Sequence, residues 1–138
     1  MCIRDRVRAN RQPSTAEVPR QPPYKNVTVC TLNCQSVVHK AALLHDFIAE
    51  YSIDVLAICE SWMTPAAHDA IAHDAAPDDY DIVHLPRVDG RRDGGLAVIY
   101  RCSFDVTSLR ISAATTSFDV QALQLTIAAG KTFTTLTL

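Results

Sequence analysis

A chain of 138 residues is the usual size of one domain, and 48% hydrophobic with 20% charged residues can build a core. That composition excludes a wholly disordered or low-complexity protein. The net charge of −2 is unevenly spread: Arg4, Arg6, Arg8, Arg11, Arg20 and Lys25 against Asp5 and Glu17 leave the first 26 residues at +4 and the other 112 at −6. Global charge therefore does not mark a nucleic-acid binder, and any such function must come from a site.

In chain order, residues 1–26 read as a disordered, basic tail, with Pro13, Pro19, Pro22 and Pro23 and no apolar periodicity. Its Arg-rich start suits a basic nucleic-acid arm or a transit peptide, but Met1-Cys2-Ile3-Arg4-Asp5-Arg6 looks more like an artefactual start, translated adapter sequence. The ordered domain is expected over 27–138. The β-branched run Val27-Thr28-Val29-Cys30-Thr31-Leu32 predicts a strand that ends at Asn33. Ser36 offers an N-cap hydroxyl. Val37, Ala41, Leu44, Ile48 and Tyr51 then follow at spacings of four, three, four and three, which predicts a helix over 37–51 with one apolar stripe. Val55-Leu56-Ala57-Ile58-Cys59 is a continuous apolar run, as in strands buried on both faces. Strand, helix and strand make a βαβ unit with a right-handed crossover.

Between Pro65 and Pro77 a short solvated helix or loop is expected. Asp81-Ile82-Val83-His84-Leu85 predicts a short strand, residues 87–92 a polar loop, and Gly95-Leu96-Ala97-Val98-Ile99-Tyr100 a buried strand. Strands are also expected over 104–111 and 118–127. In the second of these Val120, Ala122, Leu123, Leu125 and Ile127 largely alternate with Gln121, Gln124 and Thr126. Gly130-Lys131 then turns the chain into a last strand over 132–138. The cysteines (Cys2, Cys30, Cys34, Cys59 and Cys102) form no C-x₂-C pair and read as reduced structural thiols of a reducing compartment. No apolar run reaches the ~18 residues of a membrane span, so an intracellular protein of nucleus or cytoplasm, with no membrane partner, is expected.

Ligands of open α/β sheets bind beyond the C-terminal ends of the strands. Here those ends carry Asn33, an amide that can orient an anion or a carboxylate, and Glu60, a hard oxygen donor of the kind Mg²⁺ takes. A glutamate closing a strand serves equally as a solvated end or a capping partner, so pattern alone gives the position and not the chemistry. The doublets His68-Asp69 and His73-Asp74 are five apart, off the i, i+4 face that helical metal pairs use, and read as solvated. Arg87, Arg91 and Arg92 read either as DNA-phosphate contacts or as a solvated loop, and His84 as a structural histidine.

Three segments carry a resemblance. Leu32-Asn33-Cys34-Gln35-Ser36, Asp54-Val55-Leu56-Ala57-Ile58-Cys59-Glu60-Ser61-Trp62 and Gly94-Gly95-Leu96-Ala97-Val98-Ile99-Tyr100 together resemble the opening motifs of the endonuclease/exonuclease/phosphatase superfamily. The subgroup most similar is the endonuclease domain of non-LTR retrotransposons, whose second motif commonly reads acidic, polar, Trp. The resemblance implies Asn33 and Glu60 as catalytic and metal-site residues. Asn33 would position the scissile phosphate or the metal-bound carboxylate, and Glu60 would ligate Mg²⁺ or Mn²⁺. Gly94 and Gly95 would allow close packing, and Trp62 would wall the site or simply pack under its loop.

The implied function is nicking of target DNA to prime reverse transcription, with DNA as partner and a reverse transcriptase domain in the same parent polyprotein. The alternatives are an AP endonuclease or another phosphoesterase of the superfamily, or a non-catalytic folded remnant acting as a binding scaffold. The family's later Asp-x-Asn and Asp-His motifs have no counterpart, since no His follows His84, no Pro follows Pro86 and no Asp follows Asp119. The expectation is thus a truncated N-terminal part of an α/β sandwich: a mixed sheet with a helix packed on one face, catalytically inactive alone. Its other face would be uncovered and prone to aggregation.

Overall fold

The structure is a computed structural model, and it describes residues 26–66, 68–86, 93–111, 119–127 and 130–138, without the side chains of His68 and Asp69. The tail over 1–25 and the arginines of 87–92 lie outside the described residues. Among the described residues no helix is long and apolar enough to cross a membrane.

The chain runs β1 (Val29–Asn33), α1 (Ala41–Tyr51), β2 (Val55–Cys59), α2 (His68–Ala75), β3 (Tyr80–Leu85), β4 (Leu96–Arg101), β5 (Asp105–Leu109), β6 (Gln121–Thr126) and β7 (Thr132–Thr137). The first sheet has the order β1-β2-β4-β3, with β1 and β2 parallel and the other pairs antiparallel. The expected βαβ unit is therefore present, at the edge of a mixed sheet. The second sheet is the antiparallel set β5-β6-β7.

Continuous apolar runs become two-sided strands because each face meets a different layer. On one face Leu56, Ile58, Ile82, Ala97 and Ile99 pack with Leu44 and Ile48 of α1 and with Ala72 and Ala75 of α2. On the other, Val55, Ala57, Val98, Tyr100 and Phe104 meet Leu123 and Leu125 of β6. Each fully buried aliphatic side chain contributes roughly 1.5–3 kcal/mol through removal from water. The expectation of a single sheet with one uncovered face is thus corrected: the strands of residues 105–137 fold over that face as the second sheet.

The helix start is also corrected. Ser36 sits at φ 90° and caps nothing; its N–H donates to the Glu60 carbonyl at 2.8 Å. Val37 is fully buried, but from a loop, and the helix begins only at Ala41. Tyr51, assigned to the buried stripe, is 60% exposed, and its ring lies tilted against Phe47 with the centroids 5.1 Å apart. Gln121 departs in the opposite sense: expected on the polar side of its strand, it is 7% exposed, on the inward parity of Leu123 and Leu125.

The end of the first sheet remote from Glu60 is pinned by Asp54. Its carboxylate accepts from the Thr28 amide at 2.9 Å and from Arg101 Nε, while its carbonyl accepts the Arg101 amide at 3.1 Å. The Arg101 guanidinium lies 4.9 Å from the Tyr80 ring centroid, and the Tyr80 hydroxyl donates to the Ile53 carbonyl at 2.7 Å. Asp54→Ala removes the acceptor of a charge-assisted bond and leaves two donors unmatched. The expected loss is about 2 kcal/mol in urea unfolding, in the range for hydrogen bonds to charged groups.

Candidate functional site

Parallel pairing sets Asn33 beside Cys59, so the next residue, Glu60, leaves β2 at the same end of the sheet as Asn33. The two expected site residues are thus brought to one edge. The Asn33 side chain is exposed, and among the described residues it makes no hydrogen bond to Glu60. On the outer side of β1 Asn33 also lines an open groove of about 330 Å³, together with Leu32, Cys34, Lys40, Leu43 and Phe47. That groove is largely apolar and does not include Glu60.

The segment after β2 is held in a conformation that L-residues seldom adopt. Glu60 has φ 57° and Trp62 φ 52°, both left-handed, at a cost of roughly 1–2 kcal/mol each. Two neighbouring loops impose it. The Ser61 and Trp62 amides donate to the carbonyls of Gly95 and Gly94 at 3.0 and 2.9 Å. From the other side, the Ser36 and Val37 amides donate to the carbonyls of Glu60 and Ser61 at 2.8 and 2.9 Å. Between them Ser61 is fully buried, its hydroxyl 3.3 Å from His84 Nε2.

The Glu60 carboxylate is half-buried, and its Oε2 takes two donors: the Trp62 indole N–H at 2.7 Å and the Gly94 amide at 3.2 Å. Oε1 has no hydrogen-bond partner among the described residues. Trp62 is 39% exposed and is therefore neither a buried packing residue nor simply a wall; it is a direct partner of the carboxylate. The sequence offered one signal for this contact, the i, i+2 spacing of Glu60 and Trp62, but only the double left-handed turn makes that spacing productive.

Cys34 follows Asn33 and is buried, its Sγ 3.3 Å from the Ser36 carbonyl. Burial pushes its thiol pKa up, opposed in part by the Lys40 ammonium, whose Nζ donates to the Cys34 and Gln35 carbonyls. Among the described residues no group of three or more His, Cys, Asp or Glu could hold a metal.

The Endonuclease/Exonuclease/phosphatase family model matches residues 30–134. Among solved structures the chain is similar to an AP endonuclease from Leishmania major (TM-score 0.56, 18% identity, 78% of this chain and 38% of that one). It is also similar to a D. rerio TDP2 humanized by 14 mutations (TM-score 0.53, 21% identity, 80% and 48%). A mannosyl-6-phosphatase of Bacteroides thetaiotaomicron is similar as well (TM-score 0.52, 12% identity, 80% and 49%). At such identities the likeness is one of fold, and the chain spans less than half the length of each. No curated protein matches the chain.

Two outcomes test the site as built. Gly95 has φ 80°, so Gly95→Ala places a Cβ in the left-handed region and should lower stability by about 1–2 kcal/mol in thermal or urea unfolding. Cys34, protonated and buried, should alkylate with iodoacetamide at pH 8 more slowly than the half-buried Cys30, Cys59 and Cys102, as mass spectrometry of the digested protein reads directly.

Proposed function

Because the chain belongs to the endonuclease/exonuclease/phosphatase family, we propose that Asn33 and Glu60 are its contribution to the divalent-metal site of a phosphodiester hydrolase acting on DNA. The observation that carries this reading is the placement, at adjacent strand ends, of an amide and a carboxylate with one oxygen uncommitted among the described residues. The donor set fits Mg²⁺ or Mn²⁺: such cations take one or two carboxylates and fill the remaining positions with water and substrate phosphate. A cation there supplies charge stabilisation at the phosphoryl and leaving oxygens. Glu60 would hold it, and the Asn33 amide would donate to a phosphate oxygen and fix its orientation.

The DNA assignment is supported by the Glu60-Ser61-Trp62 sequence, which resembles the second motif of retrotransposon endonucleases. In that role the protein nicks target DNA, and the 3′-hydroxyl primes a reverse transcriptase carried in the same polyprotein. A second reading, incision at abasic sites, is favoured by the structural similarity to an AP endonuclease.

The 138-residue chain has no Asp after Asp119 and no His after His84 to activate water or steady the phosphate. It should therefore leave supercoiled plasmid intact in Mg²⁺. The decisive material is the coding sequence on either side of this chain. If it continues in frame into Asp-x-Asn and Asp-His motifs, that longer protein should nick supercoiled plasmid in Mg²⁺ and lose at least about a hundredfold in rate on Glu60→Ala. Nicking that survives Glu60→Ala overturns the metal-site assignment, and nicking confined to abasic-site plasmid selects the repair reading.

A further inference from the structure

We infer that Trp62 is a positioning residue that restricts Glu60 to one-oxygen coordination and thereby selects a cation of Mg²⁺ size over Ca²⁺. The inference rests on the assignment of Glu60 as a metal ligand made above.

A closed ring of hydrogen bonds carries it. Trp62 Nε1 and the Gly94 amide both donate to Glu60 Oε2, at 2.7 and 3.2 Å, while the Trp62 amide donates to the Gly94 carbonyl at 2.9 Å. The left-handed φ of 52° at Trp62 allows its backbone and its indole to act on the same Gly94–Glu60 pair. Indole to carboxylate is a charge-assisted bond, of the stronger kind. With Oε2 committed to two donors, Oε1 is the oxygen without a hydrogen-bond partner among the described residues.

Cation chemistry turns this into selectivity. Ca²⁺ gathers six to eight oxygens at about 2.3–2.6 Å and readily takes a carboxylate through both oxygens. Mg²⁺ demands near-octahedral geometry at about 2.0–2.1 Å and is served by a single carboxylate oxygen. Bidentate coordination at Glu60 would break the ring; monodentate coordination leaves it intact. A tryptophan that merely shielded the site would pack its ring there and leave Oε2 with the Gly94 amide as its donor.

Trp62 is the single tryptophan of the chain, so its indole N–H gives one isolated resonance in a ¹⁵N-labelled sample. Mn²⁺ titration should broaden that resonance selectively, and water-proton relaxation gives the Mn²⁺ affinity, with Mg²⁺ and Ca²⁺ measured by displacement. Trp62→Phe should weaken Mn²⁺ binding about tenfold, the usual effect of losing an outer partner of a ligating carboxylate, and bring the Mg²⁺ and Ca²⁺ affinities together. Replacing Trp62 with benzothienylalanine, which keeps the ring shape and lacks only the N–H, should reproduce both changes. Either replacement keeping the wild-type affinity and preference overturns the inference. Glu60→Gln separates it from its premise. Unchanged Mn²⁺ binding in Glu60→Gln removes the ligand assignment and this inference with it. Loss of binding in Glu60→Gln with no effect at Trp62 removes this inference alone.

Discussion

The geometry at the end of β2 depends on backbone hydrogen bonds that clamp residues 60–62 between two loops. Ser61 and Trp62 donate to Gly95 and Gly94, while Glu60 and Ser61 accept from Ser36 and Val37. A strand simply running out into solvent would let Glu60 relax to an extended conformation and swing its carboxylate freely. Pinned on both sides, the segment accepts two left-handed residues and a fully buried serine. The strain is supported by the sheet beneath it, and strain held this way is characteristic of sites whose side chains need one fixed orientation.

That clamp is available only because of how the first sheet is ordered. The parallel β1–β2 pair brings the loop after Asn33 alongside the loop after Cys59, and the antiparallel β2–β4 pair brings Gly94-Gly95 to the other side. Positive φ at Gly94 and Gly95 costs glycine almost nothing, so the two carbonyls can be aimed at β2 without added strain. The layers above and below then fix the sheet itself, with α1 and α2 on one face and β6 on the other. At the opposite end Asp54 ties β1, β2 and β4 together through Thr28 and Arg101, so the strands cannot slide relative to one another.

Much of this was legible in the residues. Continuous apolar runs at 55–59 and 96–100 gave the central strands, because burial on both faces leaves no polar period to read. The placement of Asn33 and Glu60 at one end of the sheet was legible because a βαβ unit forces two strand ends together whatever the side chains are. Other features were not legible. Val37 keeps helical spacing with Ala41 and Leu44 yet is buried from a loop, since tertiary hydrogen bonds to Ser61 take its amide before a helix can. The second sheet was expected as strands but not as a cover, because alternation tells which face is apolar and not what lies against it. Gln121 shows the same limit from the polar side, buried where its type suggests exposure.

The indole–carboxylate contact belongs to a further category. Residues two apart on a strand share a face, but Glu60 and Trp62 are not on a strand, and their contact arises from two left-handed turns around a buried serine. Propensity argues against both turns, and neither Glu nor Trp would be chosen for a left-handed position on local grounds. When local rules fail at two residues so close together and a tertiary clamp enforces the result, the failure itself locates the part of the chain where geometry is retained at the expense of stability. Here that part carries a carboxylate at the strand ends whose partners among the described residues leave one oxygen uncommitted.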